Sequence, residues 1–459
     1  MASKFIFFLG WSLGKTPLWM TRLFCATLGA LMWLCSPRKK TIIDQVERAF
    51  PDRSSQWHLR IARLHCTRVF EMFLFILGLP HWPKKRFNRI QIDDSLIQAI
   101  RFANEQKRPL VFAIPHSTGM EGLTLIPQRI PECPPIITLY RALDYAPAEA
   151  YVKWARQRWG ATLAARKEGL LLAKKQLASG HGVAAILFDQ STPSGGYLLS
   201  FFNRVCMATN LPGLLASKSN AVTVFLYARR EAFWKTRLEG TVLDAQSAAD
   251  ITIATHRELE RTLQNDDSAC ADWFWSHKRW KGLLRYYNIF SFANRKSYLS
   301  EQFGPSTTLP RNTRIALQLP ALNPSINPNQ LVSLIGKLRP DATIDLITPR
   351  TDTPIEQSET LVHIWNLDSD LRSNRALRET LANRHFDIYL NLDPNPLNQP
   401  SIKRFQAECR VGIVTEKPLK KVYHYTESVD IHAYQANPWP LWQRLLNSCG
   451  APETELNQL

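Results

Sequence analysis

Pro109-Leu-Val-Phe-Ala-Ile-Pro-His116-Ser-Thr-Gly-Met-Glu121-Gly122 is the stretch from which fold and chemistry are read. Leu110 to Ile114 is an unbroken apolar run with the length of a short buried strand. Pro115 stops it. Ser117-Thr118-Gly119 then opens a new element, and the apolar spacing through Leu123 and Leu125 predicts a helix. His116 therefore sits at a strand exit, in the turn before a helix, with Glu121 close behind. Inside one helix that spacing would set the two on different faces. With His116 in the turn, its ring can fold back toward Glu121. An imidazole oriented by a carboxylate suits a general base acting on a hydroxyl. A plainer reading fits the same residues: Thr118-Gly-Met-Glu121 as a helix-capping box beside a structural histidine.

With 459 residues the chain exceeds one ordinary core, so two or more domains are expected. Its 14 Trp, 22 Phe and 12 Tyr supply a large folded interior and exclude a disordered class. Lys and Arg number 57 against 39 Asp and Glu, a net charge of +18, which suits an anionic partner. Three candidates are a phospholipid surface, an acidic carrier protein and nucleic acid. The basic residues are dispersed, with neither zinc-finger spacing nor a glycine-rich phosphate loop, so no nucleic-acid partner is expected. The 8 cysteines are far apart and form no C-x-x-C pair, which points to reduced thiols rather than disulfides or a metal.

Lys4 to Ser36 is the most apolar part of the chain, and from Thr16 to Ser36 the one charge is Arg22. A helix of that length reaches about 31 Å, against a hydrocarbon thickness of ~30 Å. Trp11, Trp19 and Trp33 suit membrane interfaces. Lys15 and Arg22 interrupt the run, which disfavours a cleaved signal peptide. Residues 1–40 are thus expected to be a membrane anchor, either spanning or lying as a hairpin bent at Pro17. Arg38-Lys39-Lys40 would keep the rest of the chain on the cytoplasmic face.

Residues 41–108 read as helical, broken at Pro51-Asp52. From 109 to about 240, strands at Leu110–Ile114, 135–139, 183–188 and 221–227 alternate with helices, the best of them over 148–158; this is an α/β layout. His116, Arg141, Asp189-Gln190 and Arg229 each follow a strand end, where open α/β sheets bind ligands. For each arginine, a solvated charge is the plain alternative. Trp273-Phe-Trp275-Ser-His277-Lys-Arg279-Trp-Lys281 reads either as a surface at headgroup depth or as a buried tryptophan cluster with snorkelling cations. A linker is expected at 301–313. A second, smaller α/β unit at 314–459 follows, with strands near 314–319, 343–348 and 386–392, helices near 328–338 and 374–383, and a closing helix at 438–447.

In order and approximate spacing, these landmarks resemble the late (secondary) acyltransferases of lipid A biosynthesis, the lauroyl/myristoyl transferase family. The carriers are the apolar N-terminus, His116-x4-Glu121, Tyr140-Arg141, Trp154-Ala-Arg156-Gln-Arg158, Arg166, Asp189-Gln190, Phe201-Phe202-Asn203 and the Trp273–Lys281 segment. The resemblance implies a membrane-anchored acyltransferase α/β domain over 41–300. Such a domain would pass an acyl chain from acyl carrier protein to a hydroxyl of a lipid A precursor at the cytoplasmic face of the inner membrane. His116 would be the general base and Glu121 would hold its imidazole. Helix amides near Thr118, or an arginine, would face the oxyanion; Arg141, Arg158 and Arg166, with Asp189 and Gln190, are the candidates there or on substrate phosphates. Trp273, Trp275, His277, Arg279 and Lys281 would form a membrane or substrate surface. Neither cofactor nor metal is implied. Where the family usually has Gly-Asn-Trp/Phe after the histidine, this chain has Ser117-Thr-Gly-Met120, and Asn203 replaces a frequent glycine. Two other readings stand: an acyltransferase for another phospholipid or glycolipid acceptor, and a non-enzymatic membrane scaffold. With Ile315-x-Leu317-x-Leu319-Pro-Ala-Leu, Leu338-Arg-Pro-Asp-Ala-Thr-Ile-Asp-Leu346, His385-Phe-Asp-Ile-Tyr-Leu-Asn391 and Arg410-Val-Gly-Ile413, the tail looks like the N-terminal half of the ADP-heptose glycosyltransferases, a Rossmann-like domain. It lacks their Gly-Asp after the first strand, so the expectation is a docking or stabilising module rather than a working glycosyltransferase.

Overall fold

The computed structural model describes residues 2–192, 195–291, 312–320, 327–349, 361–367, 374–395, 405–415 and 422–457. Most of the expected linker, residues 301–311, lies outside them. The chain divides into two compact units. One comprises Met1–Gln190, Gly195–Tyr197 and Ala208–Arg279; the other comprises Ser191–Ser194, Leu198–Met207 and Trp280–Leu459.

The first unit opens with helices α1 (Ala2–Lys15), α2 (Leu18–Cys35), α3 (Arg38–Ala49) and α4 (Ser55–Gly78). Pro17 separates α1 from α2. Between α3 and α4 the chain turns at Pro51-Asp52, and the Ser54 hydroxyl accepts the Trp57 amide to cap α4. The strands are β1 (Ile90–Ile92), β2 (Leu110–Ile114), β3 (Ile136–Tyr140), β4 (Thr162–Ala165), β5 (Val183–Leu187), β8 (Val222–Ala232) and β9 (Lys235–Val242). They form one sheet in the order β1-β9-β8-β2-β5-β3-β4. β2 is parallel to both β5 and β8, and β8 turns back antiparallel into β9. All five residues of β2 are buried, as expected for a central strand covered on both faces. Polar alternation in β9, Lys235, Arg237 and Glu239, hid that strand from the sequence reading.

Contrary to expectation, no α-helix begins near Thr118. The chain leaves β2 through an open turn into a 3-10 segment, Met120–Leu125, and only then a short α-helix, Ile126–Arg129. Pro127 in that helix's first turn is tolerated because its missing N–H would have no partner there.

The ribbon β6 (Tyr197–Phe201) and β7 (Arg204–Ala208) is joined by Phe202 and Asn203, at φ +50° and +51°. Both central residues of this tight turn are left-handed, a conformation asparagine tolerates and phenylalanine takes at a cost of roughly 1–2 kcal/mol. Asn203 thus supplies what a glycine would.

The second unit carries six parallel strands: β10 (Thr313–Gln318), β11 (Ala342–Pro349), β12 (Leu361–Leu367), β13 (His385–Asn391), β14 (Gln406–Val414) and β15 (Tyr425–Ser428). Their order, β12-β11-β10-β13-β14-β15, is that of a doubly wound Rossmann sheet. Ile315 and Leu317 pack into one core and Ala316 into another, so both faces are covered. Arg204 at the start of β7 pairs with Asp387 at 3.1 Å, both buried, and the other Asp387 oxygen accepts the Arg314 amide.

Candidate active site

Parallel pairing of β2 and β5 sets Ile114 opposite Leu187. Continuing that register past both strand ends brings His116 beside Asp189. His116 Nδ1 stands 2.6 Å from Asp189 Oδ1, and the His116 backbone N–H donates to Oδ2 at 2.8 Å. The Trp273 indole N–H donates to the same Oδ2 at 2.7 Å. Burial opposes the Asp189 charge, but the facing imidazole and these donors outweigh it and hold the carboxyl down at about 2. An ionised carboxylate can only accept, so Nδ1 carries the imidazole hydrogen and Nε2 presents its lone pair. The Gln190 side-chain amide donates to that nitrogen at 3.2 Å. Phe274 stacks against the imidazole with centroids 6.1 Å apart.

Glu121 is elsewhere. Its carboxylate is 5% exposed and faces Arg156 of helix Ala146–Gln157, with Nε at 3.1 and 3.2 Å from the two oxygens and Nη2 also bonded. Burial works against the Arg156 charge, yet Glu121 and, further off, Glu149 raise its pKa. Glu149 accepts the Tyr140 hydroxyl and, at 2.9 Å, the Leu143 amide. The carboxylate on the histidine is therefore Asp189, not Glu121. Register between strands decides this, since Glu121 is turned away along the 3-10 segment.

The sheet face leading to His116 and Asp189 borders a narrow apolar cavity with about 640 Å³ of empty space, part of it open to solvent. Phe112 and Ile114 of β2, Ala185 and Leu187 of β5, and Leu123 and Leu163 line it, with Glu121 and Arg156 as its charged members. Alternate strand residues share a face, so the pairs 112, 114 and 185, 187 lead toward positions 116 and 189.

The remaining sequence candidates scatter. Arg141 is exposed, and Arg158 is exposed with its guanidinium 5.3 Å from the Trp154 ring. The Arg166 side chain lies outside the described residues. Of the Trp273–Lys281 segment, Trp273, Trp275 and Arg279 are buried, which agrees with the reading as a buried tryptophan cluster rather than a surface at headgroup depth. Trp275 donates to the Cys270 carbonyl at 2.7 Å. Arg279 lies 2.9 Å from His256 Nε2, and burial followed by that guanidinium pushes the His256 pKa down to about 3. His277 and Lys281 are half-buried. Two contributors escaped the sequence reading in this role. In sequence, Trp273 reads either as surface or as part of a buried tryptophan cluster, and Arg156 only as part of a motif.

Polar side chains gathered beyond the carboxyl ends of parallel strands, above an apolar cavity, mark the class of α/β proteins with a rim-placed ligand site. The family model described as bacterial lipid A biosynthesis acyltransferase matches residues 2–282, well over half of the chain. The chain belongs to that family and is an acyltransferase of lipid A biosynthesis. No curated protein matches it.

Proposed function

We propose that the chain transfers a fatty acyl group from acyl carrier protein to a hydroxyl of a lipid A precursor, at the cytoplasmic face of the inner membrane, with His116 as general base. The observation that carries this reading is the His116–Asp189 pair, which fixes the Nδ1–H tautomer and leaves the Nε2 lone pair to accept a proton. An incoming hydroxyl takes the place of the Gln190 amide at Nε2. As its oxygen attacks the thioester carbonyl, its proton passes to Nε2, and Asp189 stabilises the imidazolium. The tetrahedral intermediate collapses with cleavage of the C–S bond, and the departing thiolate takes the proton back. The thioester is already activated, so neither a covalent enzyme intermediate nor a metal is needed.

Arg156, held by Glu121 among the residues that line the cavity, supplies positive charge for the oxyanion or a substrate phosphate. The cavity receives the acyl chain. A net charge of +18 favours an acidic carrier and an anionic membrane. The tail is a stabilising module: Asp387 of its sheet clamps Arg204 on the ribbon that follows Asp189-Gln190 in sequence.

The test is mass spectrometry of the host's lipid A with the chain present, deleted, or carrying His116→Ala. Loss of one acyl mass in the deletion and in the variant is expected. An unchanged profile in both would refute the acceptor and favour another lipid or a scaffold role.

A further inference from the structure

We propose that α1 and α2 hold the chain on a single leaflet of an anionic phospholipid bilayer, with α2 lying along the surface rather than crossing it. The inference rests on the membrane part of the reading above and not on its chemistry. By length and composition alone α2 is able to cross, with a mean hydropathy of 1.4 over Leu18–Cys35. Its packing excludes that arrangement.

α2 lies against α4 through a buried stripe of small side chains, Thr21, Cys25 and Gly29. A Cβ on Gly29 would come within 2.7 Å of the Thr67 Cα, so the two backbones are in close contact there. α4 cannot accompany α2 into hydrocarbon. Its Glu71, 1% exposed, accepts from Arg68 on the same helix and from Arg230 and the Trp234 amide of the catalytic unit. Stripping those partners from a buried carboxylate costs several kcal/mol.

The turn between α1 and α2 is fixed on the same side. Arg86 of the catalytic unit donates to the Gly14 carbonyl at 2.8 Å and to the Thr16 carbonyl at 3.3 Å, capping the end of α1. A Cβ on Gly14 would meet the His81 Cβ at 2.6 Å and the Gly78 carbonyl at 2.9 Å. Phe7 packs on Tyr151 and Trp154, each with centroids 4.9 Å apart. If α2 crossed, residues 15–17 would emerge ~30 Å away, beyond the reach of Arg86.

The outward face matches one leaflet. Phe8, Trp11, Trp19, Leu23, Phe24 and Leu34 are all exposed, Leu34 by 74%. Exposed Lys4, Lys15, Arg22 and Lys40 accompany them. Apolar side chains with tryptophans and cations on one surface complement acyl chains below anionic headgroups.

The test places a reporter thiol in the turn, Lys15→Cys, in the full chain carrying Cys35→Ser and Cys133→Ser, with Lys218→Cys on the catalytic unit as reference. A membrane-impermeant maleimide is applied to intact spheroplasts and to inside-out vesicles. Lys15→Cys is expected to label wherever Lys218→Cys labels and nowhere else. Labelling from the opposite side, or none where the reference labels, overturns the proposal. Flotation of the purified chain with phosphatidylglycerol–phosphatidylethanolamine vesicles reads the face itself. The double variant Leu23→Asp, Phe24→Asp should float at least tenfold less. Equal flotation, or a dimer that vesicles do not dissociate, would assign the face to another occupant. Neither readout depends on acyl transfer.

Discussion

His116 meets Asp189, 73 positions further along the chain, while Glu121, only five positions away, turns its carboxylate to Arg156. The two carboxylates therefore face different partners. Asp189→Ala is expected to lower kcat roughly 10²–10⁴-fold with little change in KM, since the role proposed for it is on the base and not in substrate binding. Initial rates of acyl transfer from acyl carrier protein measure this; near-normal turnover in the variant would remove Asp189 from the mechanism.

Glu121→Gln removes the buried carboxylate bonded to the half-buried Arg156. Loss of a buried partner costs about 3–5 kcal/mol, so a clear fall in melting temperature is expected. The double variant Glu121→Gln, Arg156→Met should regain much of that stability while remaining inactive. A double-mutant cycle on stability and rate separates the two roles.

Filling the cavity should shorten the product. Ala185 lines it and is 4% exposed. Ala185→Leu adds three carbons at that wall, which displaces about two to four methylenes of a bound chain. Mass spectrometry of the product formed from mixed acyl donors should show the shift; an unchanged chain length would place the acyl group elsewhere.

The share of stability owed to Asp272 should fall as pH rises through the weakly acid range, against the opposite contributions of buried His65 and His256, whose pKa values are pushed down. Burial pushes the Asp272 carboxyl up to about 7, only partly offset by Arg68, whose Nε is 3.0 Å away, and by Arg230. Between about pH 4 and pH 7 the folded chain holds this proton and the unfolded chain does not, so raising the pH across that window removes the Asp272 contribution. The melting temperature of the parent relative to Asp272→Asn should therefore fall across the same window. Parallel pH profiles for parent and variant would show that another group is responsible.

Asp387→Ala removes the carboxylate that pairs with Arg204, whose side chain is 6% exposed. A loss of about 3–5 kcal/mol is expected. Urea unfolding checks this, and an unchanged transition would show that the pair carries no stability.

Locally coded features were legible. β2 runs Leu110–Ile114, as its apolar run and terminal proline predict, and the helix Pro328–Leu338 begins at its proline behind an asparagine cap. Strands β10 and β13 follow from similar apolar runs. Four-residue β4 and the charge-bearing β9 were not legible, because their burial comes from neighbouring strands rather than from their own pattern.

By itself the sequence determined an α/β chain with an apolar N-terminal helix and a histidine at a strand exit, since each is written in contiguous residues. Only the tertiary structure decided which carboxylate meets that histidine, that Trp273 serves it instead of facing lipid, and that α2 lies along α4. Each of those depends on register or packing between segments far apart in the chain. Spacing along one strand or helix cannot encode what lies opposite it.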